Sequence, residues 1–459
     1  MDESPLILSG EDRSYENKFS FIVLLSLALL TGTFLRVSLV AIYPLVALFI
    51  AAFYRFRISG PVILLISLAF LSCVFSFYDG WFLKYKLLSL FYMLPLIVLL
   101  FSQPSPVNNK RNSLLSVFIK CLTVVALVND ITGLMQLFIN PGSDDSFQGI
   151  YSQFSISSNG LVLLNTMLFY FYLAQYIYKK GMVNLIGAGV FLSSAILGFY
   201  GAGLIICTLA LILSFFRFQL KSLLKTVTIG FFSLVMIYLL LLLIKPGTLE
   251  YNMVNIKKLV SFDITNGPRK LKSFYNYGIS YPTNAKDFLF GSGPGTFNSR
   301  TAFMVGSPYY FENIKFIKDD KQPYYFKNFA YPLWNETNTS QALYLDGFRN
   351  QPFSSMLAFL GEYGFIFSVT FLLLYYAYYR KVAVLYKSNR HDSQANVCFR
   401  FFKFLIILLP FLLVIDNYYE SPEVMLLILT GIKFSHEGLL RINKSAYPAQ
   451  AISTLSFIP

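Results

Sequence analysis

Long apolar stretches, broken by short polar ones, set the pattern of this chain. Runs approaching the ~20 residues that a helix needs to cross a bilayer recur along most of its length. Twelve can be drawn, at about 19–35, 37–54, 58–78, 82–101, 114–139, 157–178, 182–199, 201–216, 224–245, 353–379, 401–417 and 422–440. Their side chains are apolar all round and do not alternate, which predicts helices and not barrel strands. Only Tyr200 and Gly201 separate the seventh run from the eighth. Residues 1–18 are polar, and no small-residue cleavage site follows, so the first run is expected to remain as a helix. The pattern breaks once, at 246–352. It thereby divides the chain into a nine-helix portion (1–245), a large polar loop (246–352) and a three-helix portion with a tail (353–459).

Composition agrees with the pattern. The 459 residues are 56% hydrophobic and only 13% charged, about half the charged share of a soluble domain. A water-soluble enzyme, a disordered chain and a disulfide scaffold are thereby excluded. The net charge of +14 does not point to nucleic acid, because most of the cations sit in short connections between apolar runs. Nineteen Lys and Arg lie on one side, among them Arg55, Arg57, Lys110, Arg111, Lys179, Lys180, Arg380, Lys381, Arg390, Arg400, Lys403, Arg441 and Lys444. Three, Arg36, Lys84 and Lys86, lie in the short loops of the other side. That asymmetry predicts cytosolic termini and an external 246–352 loop, a segment long enough to escape the positive-inside count. Cys73, Cys121, Cys207 and Cys398 lie in or beside apolar runs with no CxxC pair. With only His391 and His436 besides, no metal site is expected.

The large loop holds most of the candidate chemistry. A loop of this length is expected to fold partly into short helices over an outward cavity, with Thr283–Gly291 helix-like before a glycine break and Pro308–Pro332 aromatic and irregular. Gly291, Gly293 and Gly295 form a Gly-x-Gly-x-Gly-x-Phe run that either presents backbone amides to a phosphate or is a plain tight turn. Arg269, Lys270 and Lys272 precede it and Arg300 follows, a cluster suited to a lipid diphosphate or simply a solvated basic loop. Aromatics including Tyr325 and Trp334 could stack on sugar faces or anchor the loop at the membrane interface. Ionisable residues within the apolar runs are few: Lys120, Asp130 and Glu362. Glu362 lies ~15 Å inside its helix, where an acid either underlies an outward cavity or bonds to backbone and holds helices together.

Taken in order, these segments resemble the O-antigen polymerase/O-antigen ligase family of bacterial inner-membrane glycan enzymes. The resemblance rests on Arg269-Lys270-Leu271-Lys272-Ser273-Phe274, on Asp287 to Phe297, and on Pro352 to Gly364 with its Leu357-x-x-Leu360-x-Glu362-x-Gly364 pattern. Departures concern the ligase branch most: Phe353-Ser354 stands where that branch has His-Asn, Gln148-Gly149 where an Arg-x-x-Gly is usual, and Phe199-Tyr200-Gly201 where Ser-Arg is frequent.

The resemblance implies a helical fold like that of other lipid-donor (GT-C-like) glycosyltransferases. It implies a metal-independent, cofactor-free polymerase of undecaprenyl-diphosphate-linked repeat units at the periplasmic face, with membrane lipids, a chain-length regulator and a flippase as partners. An O-antigen ligase and a polysaccharide flippase are the alternatives. Arg269, then Arg300, would stabilise the leaving diphosphate. Arg36, Lys84 and Arg349 could add to the anion site, and Glu362, Asp287 and Asp346 are the candidates for a base. Lys270, Gly291, Gly293, Gly295, Arg349, Tyr325 and Trp334 are the expected substrate contacts.

Overall fold

The computed structural model describes residues 36–53, 56–103, 114–139, 147–150, 159–198, 200–215, 269–281, 284–310, 315–335 and 351–446, with isolated positions between 228 and 261. Among these residues the chain is helical and forms no strand, only an isolated bridge between Arg57 and Gln103. Seven helices among the described residues precede the large loop: α1 (Arg36–Phe53), α2 (Gly60–Phe75), α3 (Leu83–Phe101), α4 (Leu114–Ile139), α5 (Asn159–Lys179), α6 (Met182–Leu197) and α7 (Gly201–Phe215). Three short ones lie in the loop: α8 (Arg269–Ser280), α9 (Ala285–Phe290) and α10 (Arg300–Gly306). Three more follow it: α11 (Ser355–Lys387), α12 (Ser393–Ile415) and α13 (Pro422–Ala446). Five of these, α3, α4, α5, α11 and α12, are long and apolar enough to cross a membrane. The run expected at 19–35 lies outside the described residues, as does most of that at 224–245.

The largest departures from the sequence reading lie between α11 and α12. Helix α11 continues to Lys387, past the expected end at 379, and α12 begins at Ser393 and not at 401. The cations there ride on helix ends, which hydropathy alone reads as a loop. Arg400 is buried, donating to the Ser214 carbonyl at 2.9 Å and to the Tyr178 hydroxyl at 3.0 Å, and Lys403 donates to the same Ser214 carbonyl. The pair thus satisfies the carbonyl end of α7, where a helix leaves its last C=O groups unpartnered.

The core is built around α12, which packs against α5, α7, α11 and α13. Tyr170 stacks on Phe404 with ring centroids 4.2 Å apart, and Phe171 meets Phe401 edge-on at 5.2 Å. Helix α13 is enclosed although it carries charge: Lys433 is 1% exposed. Its ammonium donates to the Leu100 and Ser102 carbonyls at the end of α3 and lies over the Phe56 and Tyr378 rings. A buried cation paired with carbonyl oxygens and aromatic faces avoids most of the cost of desolvation.

Helix α11 opens irregularly. After Ser354, whose hydroxyl caps the first turn, residues Phe359–Tyr363 form a π-turn ending at Gly364 with φ 85°. A π-turn shifts the hydrogen-bond register and frees carbonyls. Those of Gly361 and Glu362 are taken up by other segments: Ser292 N–H donates to Gly361 O at 2.8 Å, and Gly293 N–H to Glu362 O at 3.0 Å. The Ser72 hydroxyl of α2 also donates to Glu362 O, at 2.7 Å.

Candidate functional site

The glycine turn packs against the bundle. Helix α9 starts at Asn284, whose side chain accepts from Asp287 N–H, and stops at Gly291, as the sequence predicts. Gly291, Gly293 and Gly295 have φ of 78°, 103° and 73°, a region L-residues avoid. A Cβ at Gly291 would fall on the backbone of Glu362, and one at Gly295 on the carbonyl of Tyr85. The glycines are therefore set by close approach as well as by conformation.

The amides of this turn do converge on an anion, and it is Glu362. One carboxylate oxygen accepts from Phe297, Asn298 and Ser299 N–H at 3.1, 3.0 and 2.9 Å, and the other from Gly295 N–H at 2.6 Å. Glu362 is 0% exposed. The expected phosphate contact at Gly291–Gly295 is replaced by an internal carboxylate. Of the two readings of Glu362, the geometry fits the acid that bonds to backbone and joins elements, because both oxygens are occupied and sealed.

Asp287, a candidate base, is likewise engaged. It is 2% exposed and accepts from Asn284 Nδ2 at 2.9 Å and from the Tyr325 hydroxyl, with Lys286 at 3.5 Å.

The cations divide. Arg269 opens α8 and is 8% exposed. The next residue, Lys270, lies within the electrostatic reach of Asp416 and Arg300. Burial pushes the Lys270 amine below its ordinary range, Arg300 adds to that, and Asp416 opposes it. Arg300 opens α10 and pairs with Asp416 at 3.4 Å, its guanidinium 5.8 Å from the Phe353 ring centre. Glu420 completes the group: it accepts the Thr301 hydroxyl at 2.6 Å, the Thr301 amide at 3.0 Å and Asn417 Nδ2 at 2.7 Å. Burial holds its carboxyl above the ordinary value of 4.5, against the opposing pull of Thr301 and of Arg300. Tyr200 and Tyr418 close one side, their hydroxyls 2.9 Å apart, and both feel Asp416 and Arg300. Arg300 and Thr301 of the loop thus meet Asp416 and Glu420 at the connection between α12 and α13.

Other expected contacts lie elsewhere. Lys84 donates to the Lys318 carbonyl at 2.5 Å, tying α3 to the loop, and Lys86 donates to the Ser76 and Gly80 carbonyls at 3.2 Å. Asp346 and Arg349 lie outside the described residues. Tyr325 is 6% exposed, its ring against Tyr281 and Phe329. Trp334 packs edge-on to Phe303, Tyr310 and Phe353 at 5.6, 5.2 and 5.2 Å. Both expected stacking residues are committed to the internal core of the loop. Among the described residues of 308–335, Tyr309, Phe316 and Tyr324 are exposed.

Asp416, Glu420 and Tyr200 are not among the site residues that the sequence predicts. The sequence marks the acids only by their place in a short loop of opposite charge to the 246–352 cations. No family model matches the chain, and no curated protein matches it in sequence.

Proposed function

We propose that this protein is a polymerase of undecaprenyl-diphosphate-linked oligosaccharide repeat units, acting at the periplasmic face of a bacterial inner membrane. In this reading it has twelve membrane helices, cytosolic termini and a periplasmic 246–352 loop, in a helical fold like that of other lipid-donor glycosyltransferases. The observation that carries it is the pairing of Arg300 with Asp416 at 3.4 Å, on a frame fixed by Glu362. A hydroxyl of the acceptor glycan attacks the anomeric carbon of the donor. The bond to the diphosphate breaks with inversion, and charge grows on the departing oxygen. Positioned cations stabilise such charge far better than mobile ones, and a guanidinium can hold two phosphate oxygens at once. Arg269 and Arg300 are the residues assigned to it, with Lys270 in support.

The test is the glycan ladder of a strain lacking the protein. A single repeat unit on lipid A-core is the result expected of a lost polymerase. Unattached long chains would make it a ligase, and the absence of exported repeats a flippase.

A further inference from the structure

The reaction above leaves unused one acid deep in the bundle. Asp130 lies on α4, nine residues or ~14 Å of helix rise before its end at Ile139. It is 4% exposed, and its neighbours Asn129 and Asn165 are 0% exposed. Asn165, on α5, donates from Nδ2 to Asp130 Oδ1 at 2.8 Å. Ser194 of α6 lies beside the same carboxyl. Among the described residues, nothing donates to Asp130 Oδ2 or to Asn165 Oδ1, and both atoms are shut off from solvent.

Two sealed acceptors, one on each side chain of this hydrogen-bonded pair, lack a hydrogen. Turning the Asn165 amide over does not supply it, because its oxygen would then face Asp130 Oδ1 at the same 2.8 Å, again acceptor against acceptor. Among the described residues no cation is placed to compensate. Lys120 is ten residues, ~15 Å, further along α4. On α5 the nearest cation is Lys179 at the far end, and α6 carries no titratable residue. On α13, Lys433 is bound to the end of α3, His436 to Tyr378 and Glu437 to Arg441. Residues 147–150 bring no charge; their amides are held by Asn129 and Gln136.

We propose that Asp130 and Asn165 form a proton-binding site within the membrane, with the acid neutral at neutral pH. The acid proton, taken from solvent, sits on Asp130 Oδ2, and the unfilled Asn165 Oδ1 is the acceptor open to it. The opposite edge of the pair keeps its Nδ2–H···Oδ1 bond. A doubly hydrogen-bonded acid–amide pair joins α4 to α5 without a buried charge.

The experiment is infrared difference spectroscopy of the full chain in phospholipid nanodiscs, in H₂O and D₂O, parent against Asp130→Asn. The expected difference is one protonated-carboxyl C=O band that shifts in D₂O, is present at neutral pH and does not respond to Na⁺ or K⁺. Asp130→Asn should keep the parent melting temperature to within a few degrees, because an amide mimics the neutral acid. Asn165→Leu removes the acceptor and should move the band towards that of a free acid, which provides a reading even if Asp130→Asn does not fold. An ionised-carboxylate difference at neutral pH overturns the proposal. So does a protonated band that vanishes on adding Na⁺ or K⁺, which would mark a metal-cation site, or one that stays in place in Asn165→Leu. Glycan polymerisation is not the readout, so failure of the functional assignment above leaves this result intact.

Discussion

Replacing Glu362 tests whether the carboxylate holds the turn or performs chemistry. In Glu362→Gln one oxygen can keep the three amides of Phe297, Asn298 and Ser299, but the new NH₂ then faces the Gly295 N–H. One charge-assisted bond is lost, ~1.5–3 kcal/mol, and a buried donor is stranded. A loss of about 3 kcal/mol corresponds to roughly 10²-fold more frequent local opening. In Glu362→Ala all four donors are stranded at ~1–3 kcal/mol each, a total comparable with the whole stability of a domain, ~5–15 kcal/mol. The assay is hydrogen–deuterium exchange of residues 295–299 in nanodiscs. Gln should speed exchange at Gly295 by about two orders of magnitude, and Ala should undock the entire turn. Unchanged protection in the Ala variant would refute the anchoring role. Loss of activity in Gln with full protection would return Glu362 to the chemistry.

Four further outcomes follow from the same geometry. Arg269→Ala should abolish chain extension at matched protein level, by about 10²- to 10³-fold, and Arg269→Lys should rescue it in part; a normal glycan ladder in Arg269→Ala would remove this residue from the reaction. Polymerisation by the purified protein should survive EDTA, as the resemblance to metal-independent glycan polymerases implies; loss that Mg²⁺ or Mn²⁺ restores would contradict it. A reporter fused near Asp319 should be active only outside the cytosol and one at Arg390 only inside, and labelling of 246–352 from the cytosol would overturn the functional reading. Because burial raises the Glu420 pKa above 4.5, the folded protein binds this proton more readily than the unfolded chain. Stability should therefore fall as pH climbs from 4.5 through the raised value. Thermal unfolding should show that decline in the parent and not in Glu420→Gln; equal pH profiles would refute it.

The helices were legible because crossing a membrane and filling a bundle both demand uninterrupted apolar runs. Their ends were less so, since Arg400 and Lys403 belong to a helix whose polar end hydropathy reads as a loop. In the site, the glycines and Glu362 stood out locally as unusual residues. Their contact is between segments more than sixty positions apart, and no periodicity carries such information. The aromatics misled for a related reason: Tyr325 and Trp334 have the composition of a sugar platform and the surroundings of a core. Asp416 and Glu420 look ordinary in a short acidic loop and gain a role only when Arg300 and Thr301 reach them.

The carbonyls freed by the π-turn at Phe359–Tyr363 have a consequence for biogenesis. Gly295 and Glu362 are 67 residues apart, and at a synthesis rate of ~5–20 residues per second the turn precedes its anchor by about 3–13 s. During that interval the turn has no carboxylate to gather its amides. Once the start of α11 is made, Ser292 and Gly293 can dock on the carbonyls of Gly361 and Glu362, the second of which also takes the Ser72 hydroxyl of α2. Each segment is thus the missing template of the other, and the glycine turn settles only once the helix that follows the loop has been made.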